Sequence, residues 1–343
     1  MSRRAVILGG TGQLGVATAR TLLDDGWSVT LAHRGERTTP AGALQEARTL
    51  LVERSDVDAL VDLCRGADLV LDCLAFAPDD AAVHGRLVGD VGSVVVVSTA
   101  SVYRGESGTW LDTATGEDDF PVLPVPVAES HATVDADGDP GYSAQKAALE
   151  RALLAIDGLP VTILRPGAIH GPHSPALREW FFIKRALDGR ERIPLAHRGE
   201  SRFSTSASVN VAELVRLAGE RPGRRVLNAV DDPAPTALEI GHAVLAHLGR
   251  TAEFVLLDGG PVDGVGAHPW AVPRPVVLSM EAARVELGYE PVGSHRATIG
   301  SAVDWMLDAV RDADWRERFP ALATRYGAAC WFDYDAEDRL LAR

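Results

Sequence analysis

Five short runs rich in β-branched residues recur through the first half of the chain. They are "AVIL" at 5–8, "SVTLA" at 28–32, "LVLDCL" at 69–74, "SVVVVS" at 93–98 and "VTILR" at 161–165. Each is almost continuously apolar, which suits a strand buried on both faces of a parallel sheet better than a strand with one wet face. Parallel neighbours must be joined by crossovers, and helical stretches lie between the runs at 13–25, 56–65, 79–90 and 142–157. The alternation predicts an α/β fold: a Rossmann-type, doubly wound parallel sheet with a smaller, mostly C-terminal substrate-binding domain.

The predicted dinucleotide-binding domain spans residues 1–168, with 203–232 returning to it through a further strand, "RVLNAVDD" at 225–232. Residues 169–202 and 233–343 form the substrate-binding domain and a C-terminal tail. There "TALEIGHAVLAHLG" (236–249) and "IGSAVDWMLDAVRDA" (299–313) read as amphipathic helices, and the Gly- and Pro-rich stretch 258–276 as a connection. The tail carries Trp315, Phe319, Trp331, Phe332 and Tyr334, too much aromatic surface to leave in water, so it is expected to dock.

The formal net charge of −14 opposes unspecific attraction to nucleic acid or to an anionic membrane. Three scattered cysteines, Cys64, Cys73 and Cys330, make neither a disulfide framework nor a zinc site, and are expected to be reduced and buried. The apolar run near the start is too short for a signal peptide, and none reaches the about 18 residues that span a bilayer. A cytoplasmic location is expected, with a small-molecule partner and neither nucleic acid nor membrane.

"VILGGTGQLGVATARTLLDDG" sets Gly9, Gly12 and Gly15 between the first strand and an amphipathic helix. Glycines let the backbone turn sharply and approach a pyrophosphate, which the helix N-terminus then stabilises through its N–H groups and dipole. Gly9, Gly12, Gln13, Leu14 and Gly15 are therefore candidate cofactor contacts. The second strand ends at His33 and Arg34, with no carboxylate there to bind a ribose 2′-hydroxyl. An arginine at that place can take a 2′-phosphate, so NADP(H) is favoured over NAD(H).

Tyr142 and Lys146, the latter one of two lysines in the chain, lie four residues apart and share one side of a helix. A phenol with an ordinary pKa of about 10 is a poor base, and a neighbouring ammonium favours its ionised form. Lysine suits this as a compact charge on a flexible stem that also reaches a ribose hydroxyl, which a planar guanidinium does not replace. A third element, a hydroxyl at a strand end, comes from Ser98, Thr99 or Ser101 in "VVVVSTASVY".

Together "GGTGQLG", "STASVYRG", "YSAQK", "ILRPGAIHGP" and "VLNAVDDP" resemble the extended short-chain dehydrogenases/reductases of the NAD-dependent epimerase/dehydratase family, which includes nucleotide-sugar epimerases. The later "LGYEPVGSHRATIGSAVDWM" resembles that family's C-terminal portion. The resemblance implies a catalytic set of Thr99, Tyr142 and Lys146. It implies cofactor contacts at Glu53 and Arg54 beside adenine, at Ala75 after the fourth strand, and at Pro166 and Ile169 beside nicotinamide. It also implies a homodimer.

Family dehydratases carry an Asp-Glu pair after the threonine. Here Ala100 and Ser101 follow, which counts against a sugar 4,6-dehydratase. "FSTSASVNVAEL" at 203–214 replaces the usual segment with a histidine and aspartates, which weakens a nucleotide-sugar assignment. "GPHSPALREWFFIKRALDG" resembles a branch with chloroplast stem-loop-binding proteins, some of which handle RNA. Ser101, His170 and Arg178 are candidate substrate contacts, and His170 with His173 lacks the partners for a metal. Arg178, Trp180, Lys184 and Arg185 read either as a phosphate pocket or as a wet basic helix face. The expected activity is reduction or epimerisation of a secondary alcohol or ketone, sugar-like substrates included. The alternative is a cofactor-sensing or RNA-binding protein without turnover.

Overall fold

The structure is a computed structural model that describes residues 2–35, 44–136, 138–320, 322 and 331–342. In chain order the first elements are β1 (Arg4–Leu8), α1 (Gln13–Asp24), β2 (Ser28–His33), β3 (Arg48–Leu51), α2 (Val57–Cys64), β4 (Leu69–Asp72), α3 (Ala81–Gly85), β5 (Ser93–Val97), α4 (Tyr142–Leu154) and β6 (Val161–Pro166). There follow β7 (Ala168–His170), α5 (Trp180–Leu187), β8 (Arg192–Leu195), β9 (Thr205–Ala207), α6 (Ser208–Glu220), β10 (Arg225–Ala229), α7 (Ala237–His247), β11 (Glu253–Leu256), α8 (Glu281–Leu287) and α9 (His295–Ala309). The described chain divides into two compact units.

The first unit comprises Met1–Gly167, Ser208–Val230 and Leu278–Val292. Its seven strands form one sheet in the order β10-β6-β5-β4-β1-β2-β3, and every pair is parallel. The strand order reverses beside β1, the topological switch point at which open α/β sheets bind ligands beyond their C-terminal strand ends. Val6, Val70, Val94 and Ile163 point to one face and share a core with Leu60 and Val61 of α2, Val83 of α3, and Leu149 and Leu153 of α4. α6 lies over the other face, where Ser93 Oγ donates to the Ala218 carbonyl at 2.9 Å, and packs against α1. Coverage of both faces is what the unbroken apolar runs require. The chain is thus a Rossmann-like α/β fold.

Two local outcomes differ from the pattern. β3, "RTLL", is an edge strand with three exposed positions, so it carries no apolar signature. β4 ends at Asp72 although Cys73 and Leu74 continue the apolar run: the Cys73 N–H still donates to the Leu8 carbonyl, but the Asp72 carboxylate takes the N–H groups of Leu74 and Ala75.

The second unit comprises Ala168–Ala207, Asp231–Val277 and Gly293–Arg343. β7 pairs with β9 and β8 with β11, both in parallel. Its core gathers Trp180, Phe181 and Phe182 of α5 with Ile240 and Val244 of α7, Ile299 and Val303 of α9, and Trp270. Trp315, Phe319 and Trp331 of the tail are buried in the same cluster, with Phe332 packed against it. Arg185 is buried rather than wet: its guanidinium lies 3.7 Å from the Phe181 ring centre and bonds Glu337. Lys184 pairs with Asp188 at 2.5 Å. Cys64 is buried, Cys73 is only half-buried, and Cys330 lies outside the described residues. Among the described residues, no helix is long and apolar enough to cross a membrane.

Candidate active site

The glycine loop is built by close packing as much as by turning. Gly9 has φ of +85°, a conformation that L side chains rarely adopt. At Gly15 a Cβ would lie 2.5 Å from the Gly9 carbonyl oxygen and 2.7 Å from Gly10 Cα, so the first turn of α1 rests directly on the loop. The loop is tied to β2, with Gly9 and Gly10 N–H donating to the Ala32 carbonyl at 2.9 and 3.3 Å. Gly12 is the N-cap of α1 and brings no side chain to its first-turn N–H groups. A bare helix N-terminus behind a glycine cradle fits a pyrophosphate.

At the end of β2, His33 Nδ1 accepts from the Gly35 N–H at 3.0 Å, and Arg34 is exposed. Glu53 is exposed as well. Arg54 is drawn inward instead, donating from Nη1 to Asp72 at 2.7 Å and from Nε to Asp80 at 3.0 Å.

Lys146 is 6% exposed and reaches across two strand ends. Its Nζ donates to the Ala75 carbonyl at 2.6 Å and to the Val97 carbonyl at 2.9 Å. Burial pushes this ammonium below its ordinary value, and the charges of Asp72, Cys73, Asp80 and Glu150 oppose that shift. Tyr142, in the first turn of α4, is 44% exposed, and its ring centre lies 5.8 Å from that of Phe76. Asp112 accepts from the Ser143 N–H at 2.7 Å, which steadies the start of this helix.

The three candidate hydroxyls separate. Ser98 Oγ donates to the buried Glu150 at 2.5 Å, and Glu150 also holds Arg165. Thr99, two residues beyond Val97, accepts from the Ser101 N–H at 3.2 Å and lies 3.3 Å from Ser101 Oγ. Pro166 is buried at the end of β6, paired with Ala229.

Ile169, His170 and Arg178 belong to the second unit. His170 is 1% exposed, and its Nε2 lies 2.8 Å from Asp231, which also accepts from Thr205 Oγ1 at 2.7 Å. Burial would raise the Asp231 carboxyl, but the bond and charge of His170 and the donors from Ala207 and Thr205 hold it well below the usual carboxylate range. Among the described residues no group of His, Cys, Asp or Glu is arranged to hold a metal.

Several partners here have no motif of their own. Asp72 and Asp80 hold Arg54, His84 backs Asp72, and Glu150 sits inside the apolar stripe of α4. For Asp72 and Glu150 the signal was a charged residue placed where apolar ones belong, which requires a buried partner. Asp80 lies in a partly exposed turn and gives no such signal.

A family model described as the NAD dependent epimerase/dehydratase family matches residues 5–229. A comparison with curated proteins finds no match. Among solved structures, UDP-glucose 4-epimerase of Thermotoga maritima, determined with UDP-glucose, is 19% identical at a TM-score of 0.66, over 89% of this chain and 99% of that one. dTDP-glucose 4,6-dehydratase of Bacillus anthracis, in complex with NAD, is 17% identical at a TM-score of 0.65, over 91% and 99%. The Bordetella bronchiseptica enzyme WbmG, in complex with NAD and UDP, is 19% identical at a TM-score of 0.64, over 92% and 97%. These likenesses share the fold. The family match takes in the whole run from β1 through β10, and by it this chain belongs to the NAD dependent epimerase/dehydratase family.

Proposed function

We propose that the chain is a nicotinamide-dependent epimerase or oxidoreductase acting at a secondary alcohol or ketone, with Tyr142 as the acid/base. The observation that carries this reading is Lys146, a buried ammonium one helical turn beyond Tyr142 and fixed by two carbonyls. When bound, the nicotinamide supplies or accepts the hydride. Tyr142 gives a proton to the substrate oxygen, or takes one from it, from an exposed position at the helix start. Thr99 orients that oxygen. Lys146 uses two donors on Ala75 and Val97, and its third N–H serves a cofactor ribose. The same parts epimerise a centre if the cofactor is retained while the ketone turns over.

The family description and the NAD in two of the structural relatives support NAD(H). The UDP-glucose and UDP of two relatives support a nucleotide-linked sugar as substrate class. Ala100 and Ser101 after Thr99 provide no acid/base pair for eliminating water. Tyr142→Phe tests the reading. It is expected to lower turnover of UDP- or dTDP-sugars by about 10²–10⁴-fold while NADH still binds. Unchanged turnover with cofactor bound would refute the assignment of Tyr142.

Arg34 is the feature that would admit NADP(H). Arg34→Glu is expected to weaken NADPH binding about tenfold relative to NADH, through loss of a charge-assisted contact and gain of repulsion. Fluorescence titration with both cofactors measures the ratio. An equal change for both means that Arg34 does not read the 2′ position.

A further inference from the structure

Segment 74–77 is held by an unusual arrangement of backbone donors. Four consecutive N–H groups all end on two carboxylates. Leu74 and Ala75 donate to Asp72 Oδ1 at 2.8 and 3.0 Å, and Phe76 and Ala77 to Asp80 Oδ2 at 2.7 and 3.0 Å. The remaining oxygen of each carboxylate meets the same guanidinium, that of Arg54, at 2.7 and 3.0 Å. Asp72 Oδ2 also lies 3.0 Å from His84 Nε2, with both side chains fully buried. Burial would raise the Asp72 carboxyl, but His84 and Arg54 hold it well below the usual carboxylate range, so it stays charged.

What this segment presents outward is the machinery of α4. The Ala75 carbonyl takes the Lys146 ammonium at 2.6 Å, and the Phe76 ring lies beside Tyr142 and 6.0 Å from Lys146 Nζ. We propose that Asp72 and Asp80, joined through Arg54, form a clamp that positions Lys146 by fixing the backbone of residues 74–77. Both aspartates are thus positioning residues for the reaction proposed above, and the inference rests on that reading for its catalytic meaning. A simple stabilising role would be met by any satisfied carboxylate. Here the satisfied donors belong to a segment whose carbonyl, together with that of Val97, anchors the lysine.

The charged and titratable groups facing Lys146 are Asp72, Cys73 and Asp80 from β4 and the segment after it, and Glu150 from its own helix. With two lysines in the chain, ¹³C-lysine labelling gives one signal for Lys146 and one for Lys184, assigned with Lys184→Arg. In Asp72→Asn the titration midpoint of Lys146 is expected to fall by about one pH unit, and in Asp80→Asn by less, because an opposite charge and an anchored acceptor are both lost. NADH binding, followed by fluorescence, weakens in both variants.

Asp80→Glu keeps the charge but displaces the carboxylate from the Phe76 and Ala77 donors, and it is expected to weaken NADH binding as Asp80→Asn does. Wild-type binding in Asp80→Glu would show that charge alone matters, and it overturns the clamp. So does an unmoved Lys146 midpoint in folded variants. If Asp72→Asn does not fold, the Asp80 variants decide, because that side chain is 24% exposed. The titration needs no turnover. An unmoved midpoint therefore sinks the clamp even if Tyr142→Phe upholds the enzyme, and a moved one together with weakened NADH binding in Asp80→Glu sustains it even if Tyr142→Phe does not.

Discussion

Glu150→Ala is expected to cost about 3–5 kcal/mol of folding stability, because it strands a buried guanidinium. Glu150 and Arg165 are both buried. Arg165 Nε lies 3.0 and 3.2 Å from the two carboxylate oxygens, its Nη2 bonds Oε2 at 2.5 Å, and Ser98 Oγ donates to the same group. Burial opposes the charge on Arg165, but its bonds to Glu150 outweigh this and raise the guanidinium above its ordinary value. Without Glu150 that charge is left with the Glu129 carbonyl at 3.2 Å and with Tyr103, whose ring centre lies 4.8 Å away. Denaturant unfolding measures the loss, against a typical total of about 5–15 kcal/mol.

Two comparisons make the result diagnostic. Arg65→Ala breaks the exposed pairs with Asp62 and Asp90 and should cost less than about 1 kcal/mol. Glu150→Met with Arg165→Met removes both charges and should recover much of the loss, since the penalty lies in the unpaired ion and not in the absence of a bridge. A double variant as unstable as Glu150→Ala would refute this account.

That pair also shows where the sequence stops being readable. β1, β2, β4, β5 and β6 announce themselves because two-sided burial keeps most of their positions apolar. β3 leaves no such mark, because an edge strand with three exposed residues needs no apolar face. The site divides in the same way. Four-residue spacing places Tyr142 and Lys146 on one helix, since that relation is local. The anchors of Lys146 are 71 and 49 residues away, and no local pattern encodes them. Arg54 was legible as a charge near a cofactor segment. Its commitment to Asp72 and Asp80 depends on the sheet bringing β3 and β4 into the same region around β1 and β2, which is a property of strand order rather than of residue spacing. The return of residues 278–292 to the first unit is likewise unannounced, because α8 is short and largely exposed.

Lys146→Arg is expected to keep the charge and still reduce NADH affinity and turnover by about a hundredfold, the effect of misplacing a positioned group by about 1 Å. The slot between the Ala75 and Val97 carbonyls accepts a compact ammonium at 2.6 and 2.9 Å, whereas a guanidinium spreads its donors in a rigid planar fork. The pH profile separates this from a general loss of fold. Burial lowers the lysine below its ordinary 10.5, so the ammonium is lost as pH rises through that lowered value, earlier than for an exposed lysine. Wild-type activity should therefore decline on the alkaline side before an ordinary lysine would titrate. In Lys146→Arg the residual activity should lack that alkaline decline, because the guanidinium keeps its proton throughout. An arginine variant with wild-type turnover would show that charge near Tyr142 suffices. An arginine variant that is slow yet retains the alkaline limb would place the titrating group elsewhere than Lys146.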